Sequence, residues 1–126
     1  SHNRYTLLNR EAEPFWEVCQ HHHVAAINAA PYGSGLLAKG PSAYPRYMYG
    51  TAPEAMLRQA HQMEAACARY DVPLAAAALQ FSLRDPRIIS TIIGISRAER
   101  LAATVAMAHK PIPEELWQEL EAIFQS

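Results

Sequence analysis

The chain has 126 residues, half of them apolar, which is one domain's worth of sequence with enough apolar side chains for a core. Eleven Lys and Arg face twelve Asp and Glu, and a net charge of −1 gives no basic field for nucleic acid or an anionic membrane. No apolar run approaches the roughly 20 residues that span a bilayer, and no signal-peptide pattern opens the chain. We therefore expect a cytoplasmic globular protein with no nucleic-acid or membrane partner. Its cysteines, Cys19 and Cys67, are expected to be buried free thiols.

The first part of the chain predicts two strands around one helix. Residues 5–8 are a strand candidate close to the first residue, and since the chain does not begin with Met we expect a piece of a longer protein. A helix is predicted over 11–22 and a buried strand over 24–30. The apolar face of that helix consists of Phe15, Val18 and Cys19. The Gly-, Pro- and Tyr-rich segment 32–53 is predicted to be a long loop.

The rest of the chain predicts four helices and one more strand. Helices are expected from 53 to 70, from 74 to 83, from 97 to about 107, and from 113 onward. The strand, over 88–93, has the β-branched composition of a fully buried strand. Six apolar side chains of the outer helices are expected to be buried: Met56, Met63, Tyr70, Leu116, Trp117 and Leu120. Buried strands alternating with helices indicate an α/β fold with a parallel sheet, either a closed barrel or a doubly wound sheet.

The passage from this last strand into its helix predicts an anion site. Ser96 and Glu99 match a helix capping box, and a helix N-terminus at the carboxyl end of a sheet presents free N–H groups to a phosphate. Arg100 falls in the first helical turn, where its guanidinium could bind a phosphate. An ordinary strand-to-helix turn with a well-capped helix is the alternative.

Other polar features are weaker. His21, His22 and His23 are consecutive, so on a helix they diverge and favour a solvated helix end over a metal site. Gly33 and Gly35 flank Ser34 in a tight turn that would let the backbone approach a ligand. Three tyrosines of the long loop could form the floor of a pocket or simply pack the loop down: Tyr44, Tyr47 and Tyr49. No catalytic constellation stands out.

Four segments together resemble one enzyme family. Residues 3–8, 27–37, 78–83 and 92–96 are similar, in order and spacing, to the second half of an aldo-keto reductase, and most similar to aldose dehydrogenases that oxidise fucose- or galactose-type sugars. The resemblance implies that residues 1–126 are a single incomplete domain, the C-terminal half of a (β/α)₈ TIM barrel with strands six to eight and their helices. It also implies hydride transfer between NADP or NAD and a sugar or aldehyde carbonyl.

The same resemblance assigns cofactor contacts to three places. The turn after the second strand would follow the nicotinamide and pyrophosphate through Ala29, Ala30, Pro31, Tyr32, Ser34, Gly35 and Leu36. The adenosine phosphate and adenine would lie at Gly94, Ile95, Ser96, Arg100 and Thr104. His2 stands where many members have a Gln that contacts the nicotinamide amide. Ala29 replaces a stacking Tyr and Gly94 replaces a Lys of NADP-preferring members, so NADP and NAD both stay open. Tyr44 and Tyr47 are the expected substrate contacts.

The catalytic Asp, Tyr, Lys and His of the family have no counterpart here, which implies that this chain alone is inactive. The resemblance leaves a second function open, a non-catalytic cofactor-binding regulatory relative. A structural half-barrel without a ligand is a third possibility. Strands six to eight alone would have open edges, so we expect order only beside the missing N-terminal half or in a self-associated assembly.

Overall fold

The computed structural model describes residues 1–48 and 50–126, which form a small parallel sheet with helices packed on one side. The elements are α1 (Glu13–His21), β1 (Ala26–Ala29), α2 (Leu36–Lys39), β2 (Arg46–Tyr47), β3 (Gly50–Thr51), α3 (Glu54–Arg69), α4 (Leu74–Leu83), β4 (Ile88–Ile92), α5 (Glu99–His109) and α6 (Glu114–Gln125). None of the helices in the described residues is long and apolar enough to cross a membrane.

The sheet is parallel, as the alternation of strands and helices predicts. β1 pairs with β4 in a register that runs from Ala26 opposite Ile88 to Ala29 opposite Ile92, with one irregularity after Ala26. On the other edge of β1, His2 forms a single parallel bridge: its N–H donates to the Ile27 carbonyl at 3.1 Å and its carbonyl accepts from Ala29 at 2.9 Å. Among the described residues these parallel segments do not close into a barrel.

The main core lies between the helices. Three of them, α3, α4 and α6, each follow a proline that fixes the backbone before the first turn, at Pro53, Pro73 and Pro113. The alanine-rich helix α4 has the predicted bounds, and its small side chains allow its neighbours to approach closely. The largest fully buried apolar residues of this core are Leu7, Leu36, Leu37, Met63, Leu116 and Leu120.

Residues 5–8 are not a strand, contrary to the sequence prediction. Thr6 and Asn9 pair across a tight turn, with the Thr6 N–H donating to the Asn9 carbonyl at 2.7 Å. The Thr6 hydroxyl also accepts a hydrogen bond from the Leu8 N–H at 3.1 Å. The apolar run is buried because it forms a loop folded against the helices, where its local bonds replace those of a sheet.

A buried polar network fixes this loop to the start of β4. The Tyr5 hydroxyl donates to Asp85 Oδ2 at 2.7 Å, and Arg87 donates to both oxygens of Asp85 at 3.0 and 2.7 Å. Arg87 also bonds to Glu13 at 2.7 Å, which adds α1 to the same network. Burial raises the pKa of Asp85, but hydrogen bonds from Arg87 and Tyr5 outweigh burial, so its net pKa is lowered.

Three further predictions are wrong in detail. The inward face of α1 consists of Trp16 and Cys19, whereas Phe15 is 39% exposed and Val18 is 57% exposed. The strand β4 is not fully buried, because nothing in the described chain covers its second face. The capping box does not form: α5 begins after Ala98, and no side chain caps it.

Of the six outer-helix residues expected to be buried, Met63, Leu116 and Leu120 are buried, Met56 and Trp117 are partly buried, and Tyr70 is exposed at the end of α3. The long loop contains the short helix α2 and the β2–β3 hairpin. Both cysteines are buried free thiols, as predicted. Burial raises the pKa of Cys67 to about 11, with the nearby Glu64 adding to the effect.

Candidate functional site

The carboxyl ends of β1 and β4 lie at one edge of the sheet because the two strands are parallel and adjacent. The turn that follows β1 has an unusual backbone, with positive φ at Ala30, Gly33, Ser34 and Gly35. In the described part of the chain, the N–H groups of Ser34 and Gly35 have no hydrogen-bond acceptor. This turn therefore presents two neighbouring backbone donors at the edge where ligands bind in α/β sheets.

A cleft of about 560 Å³ opens beside this turn. Four of the residues expected from the sequence contribute to its walls: Ala30, Ser34, Tyr44 and Tyr47. The other lining residues are Asn3, Arg4, Thr6, Gly33, Arg46 and Met48. The structure thus brings the turn after β1 together with two loop tyrosines, as a cofactor turn beside a substrate pocket would require.

Both tyrosines line the cleft and also pack the loop against the turn. A side-chain carbon on Gly35 would lie 3.3 Å from the ring of Tyr44, and Lys39 places its ammonium 4.3 Å from the centre of the same ring. The Tyr47 hydroxyl accepts a hydrogen bond from Asn9 at 2.8 Å. The two predicted roles of these tyrosines, lining a pocket and packing the loop down, are therefore compatible. Tyr49 lies outside the described residues.

Not every residue of the expected cofactor turn reaches the cleft. The side chains of Pro31 and Leu36 are fully buried, so only their backbones could contact a ligand. Tyr32 packs against the helical core, and burial raises the pKa of its hydroxyl. Ala29 is partly buried within β1, where it pairs with Ile92. Cofactor contacts at these positions stay predictions.

The second expected cofactor segment, after β4, is open to solvent. Gly94, Ile95, Ser96 and Arg100 are exposed, and Thr104 is partly buried one helical turn after Arg100 on the same face of α5. No side chain caps α5, and the Arg100 and Leu101 N–H groups donate to the Arg97 and Ala98 carbonyls at 3.1 Å, so the Ala98 and Glu99 N–H groups are the ones available to an anion. None of these residues lines the cleft, so the structure places the two segments at the same sheet edge without joining them in one cavity.

His2 lies next to the cleft residues, but its ring packs elsewhere. The ring centre is 5.3 Å from that of Phe15 and 6.1 Å from that of Trp16. Its Nδ1 accepts a hydrogen bond from the Arg4 N–H at 3.1 Å, so the neutral ring carries its proton on Nε2. A single donated hydrogen bond, as expected for contact with a nicotinamide amide, would have to come from that atom.

Sequence reasoning missed five lining residues: Asn3, Arg4, Thr6, Arg46 and Met48. Assigning 5–8 to a strand hid Thr6, because a strand there would place it within a sheet, and it put Asn3 and Arg4 before the strand and not at the carboxyl edge of the sheet. The signal that could have found them is the parallel alignment of His2 with β1, since whatever follows His2 then lies at the same edge. Within residues 1–48 and 50–126, no three His, Cys, Asp or Glu side chains gather as a metal site.

Comparison with known proteins identifies the family. The sequence model of the aldo/keto reductase family matches residues 1–125. The chain belongs to the aldo-keto reductase family. It is 32% identical over 120 residues to pyridoxal 4-dehydrogenase from Microbacterium luteolum, covering 94% of this chain and 35% of that protein. It is 36% identical over 119 residues to D-threo-aldose 1-dehydrogenase from Pseudomonas sp, covering 93% of this chain and 36% of that protein.

The fold also matches that of solved aldo-keto reductases. The holo form of an aldo-keto reductase from Bacillus halodurans superimposes with a TM-score of 0.72 at 23% identity, covering 95% of this chain and 40% of that one. At this identity the match shows the fold alone, that of the TIM-barrel enzymes of this family. This chain spans about a third of the length of the curated relatives it matches.

Proposed function

We propose that the whole protein is an oxidoreductase that transfers a hydride between NAD or NADP and a sugar or aldehyde carbonyl. In this proposal residues 1–126 are strands six to eight of the barrel with their helices, and they hold the cofactor. The observation that carries it is the shared edge of β1 and β4, where a turn with free N–H groups lies beside an uncapped helix N-terminus. The two curated relatives are dehydrogenases, one named for an aldose and one for pyridoxal.

The donors at this edge suit a dinucleotide. The Ser34 and Gly35 N–H groups and those of Ala98 and Glu99 at the start of α5 would bind phosphate oxygens, and the Arg100 side chain would add a charge-assisted bond. Thr104, one turn along, would contact the adenine. When bound, the nicotinamide ring supplies or accepts the hydride. Because Gly94 stands where NADP-preferring members have a lysine, the proposal includes both NADP, which carries the 2′-phosphate, and NAD, which does not.

The cleft would hold the carbonyl substrate. Tyr44 and Tyr47 supply aromatic surface and hydroxyl groups, which are features that bind sugar rings. The proton that the carbonyl oxygen gains or loses would be handled by catalytic residues outside this chain, so the chain alone is expected to be inactive. Hydride transfer without such acid–base help is slower by about 10²–10⁴-fold.

Replacing Arg100 tests the cofactor site in the whole protein. Arg100→Ala should weaken cofactor binding by the ~1.5–3 kcal/mol of a charge-assisted hydrogen bond, which is about 10- to 150-fold in Kd. The effect on kcat should be smaller, because the adenosine end does not react. Fluorescence titration of the cofactor measures the Kd, and Arg58→Ala, on an exposed position of α3, is the matched control.

An unchanged Kd in Arg100→Ala would contradict the assignment and favour an ordinary strand-to-helix turn. Tight cofactor binding by the whole protein without turnover of any aldose or aldehyde would instead favour the regulatory relative.

A further inference from the structure

The segments that build the cleft have an unbalanced charge. Residues 1–10 and 30–53 contain Arg4, Arg10, Lys39 and Arg46 but not one Asp or Glu, in a chain whose overall charge is close to zero. Two of these residues, Arg4 and Arg46, line the cleft, and the described lining includes no carboxylate. Arg4 therefore places a positive charge on the cleft wall, where no lining carboxylate among the described residues opposes it, and such a charge attracts anions.

Arg4 differs from the arginines that stabilise the fold. Four others form ion pairs with carboxylates: Arg10 with Glu121, Arg69 with Glu119, Arg84 with Glu114, and Arg87 with Asp85 and Glu13. The Arg4 guanidinium instead donates only to the side-chain and backbone oxygens of Asn3, at 3.0 and 3.3 Å, and meets no carboxylate in the described part of the chain. Its charge is therefore not neutralised at a cavity wall.

Neutral donors accompany this charge. Ser34 lines the cleft with a hydroxyl, and Tyr44 contributes a second hydroxyl. The Tyr47 hydroxyl accepts from Asn9, which leaves its own hydrogen free to donate. A guanidinium and neutral hydroxyl donors in the walls of one cleft are groups that bind phosphate or carboxylate oxygens.

We propose that the cleft selects carbonyl substrates that carry an anionic group, phosphate or carboxylate, and that Arg4 binds this group. The inference rests on the proposed function and narrows its substrate class from sugars and aldehydes in general to acidic ones. The anion belongs to the substrate and not to the cofactor, because the proposed function places the cofactor phosphates at the Ser34 and Gly35 N–H groups and the α5 end, whereas Arg4 belongs to the segment that follows His2.

The test compares three substrates in the whole protein: a neutral aldose, its terminal phosphate ester, and the corresponding uronic acid. Wild type should prefer at least one acidic substrate over the neutral aldose in kcat/KM. Arg4→Gln should reduce that preference about 10- to 100-fold, mainly through KM, and Arg4→Lys should restore part of it because the charge is kept. The phosphate and carboxylate arms show which anion is recognised. Arg58→Gln, on the surface of α3, controls for loss of a positive charge.

Two readouts separate this inference from the proposed function. If wild type prefers the neutral aldose and Arg4→Gln leaves the substrate ratio unchanged, the inference is wrong while the oxidoreductase stands. If no substrate turns over, calorimetric titration of the phosphate ester into cofactor-loaded protein still decides: saturable binding lost in Arg4→Gln supports the anion site, and absence of binding overturns it. Cofactor Kd is measured in each variant, and a loss matching that of the acidic substrate would reassign Arg4 to the cofactor.

Discussion

The two faces of the β1–β4 sheet differ sharply in how they are covered. On one face, Ala26, Asn28 and Ile88 are buried beneath α1 and α4, and the core between the helices continues outward from there. We call this the helix-packed side. On the other face Ile89 is 68% exposed and Ile92 is 53% exposed, and in α5, which the structure describes completely, no residue is buried. Ile89 and Ile92 form the open side, whereas α5 packs against α4 with Leu101 and Val105 exposed.

The two sides have similar residues but different surroundings. Apolar β-branched side chains on both faces of a strand are typical of parallel sheets that are covered on both faces. The helix-packed side meets that condition within this chain, and the open side does not. Since the relatives are about three times as long, we propose that the rest of the barrel covers the open side, in keeping with the fold of the family.

The largest expected effect concerns association through the open side. The 126-residue chain in isolation should self-associate, because burying Ile89 and Ile92 is worth ~1.5–3 kcal/mol for each side chain. Replacing both with Lys should then weaken association by about 3–6 kcal/mol, which is at least 100-fold in the association constant. Light scattering over a concentration series measures this.

Val18→Lys is the matched control, because Val18 is an equally exposed β-branched residue on the outer surface of α1. It should leave association unchanged. A monomeric wild-type chain with one sharp melting transition would contradict the prediction, and would mean that the open side needs no cover.

Much of the fold could be predicted from the sequence because its signals are local. The helix α4 ends just before the Asp85-Pro86 pair, which disfavours helix, and proline precedes α3 and α6 as expected. The segment 5–8 could not be predicted, since its strand-like composition is overridden by a hydrogen bond from Tyr5 to Asp85, a residue 80 positions away. The exposure of Ile89 and Ile92 could not be predicted either. The apolar composition of β4 indicates a strand suited to burial on both faces, but it does not show whether this chain contains the residues that cover the second face.

The candidate site also has residues that the sequence could predict and residues that it could not. The turn at Gly33–Gly35 and the tyrosines near it could be found because glycine and aromatic residues have local signatures. Arg4 could not be found from the sequence, since its proposed role depends on which arginines pair with carboxylates in the folded chain. Five of the arginines differ only in their partners, and a single sequence does not show partners.

A smaller effect on stability is expected when leucine is replaced by alanine at a buried position and at an exposed one. Leu116→Ala, on the helix-packed side, should lower the free energy of unfolding of the isolated chain by about 2–5 kcal/mol, because a cavity remains in the core. Leu101→Ala, on the exposed surface of α5, should change it by less than about 0.5 kcal/mol. Urea unfolding followed by tryptophan fluorescence measures both, since Trp16 and Trp117 belong to the helix-packed side. Equal losses would show that α5 is covered in solution.

The smallest expected effect concerns how the stability of the helix-packed side depends on pH. In Asp85→Asn, the side chain can no longer accept charge-assisted bonds from both Tyr5 and Arg87, which should cost ~1.5–3 kcal/mol at neutral pH. Because the pKa of Asp85 is lowered by folding, its contribution is present above the unfolded value of about 3.9 and is lost as the pH falls through the lower folded value. The difference in the free energy of unfolding between wild type and Asp85→Asn should therefore narrow below about pH 4.

Asp71→Asn, at an exposed position, is the control and should produce no such pH-dependent difference. Urea unfolding at pH 7, 5, 4 and 3 measures these free energies, and a difference that is constant with pH would mean that the Asp85 charge contributes nothing to holding the loop of residues 5–8 against β4.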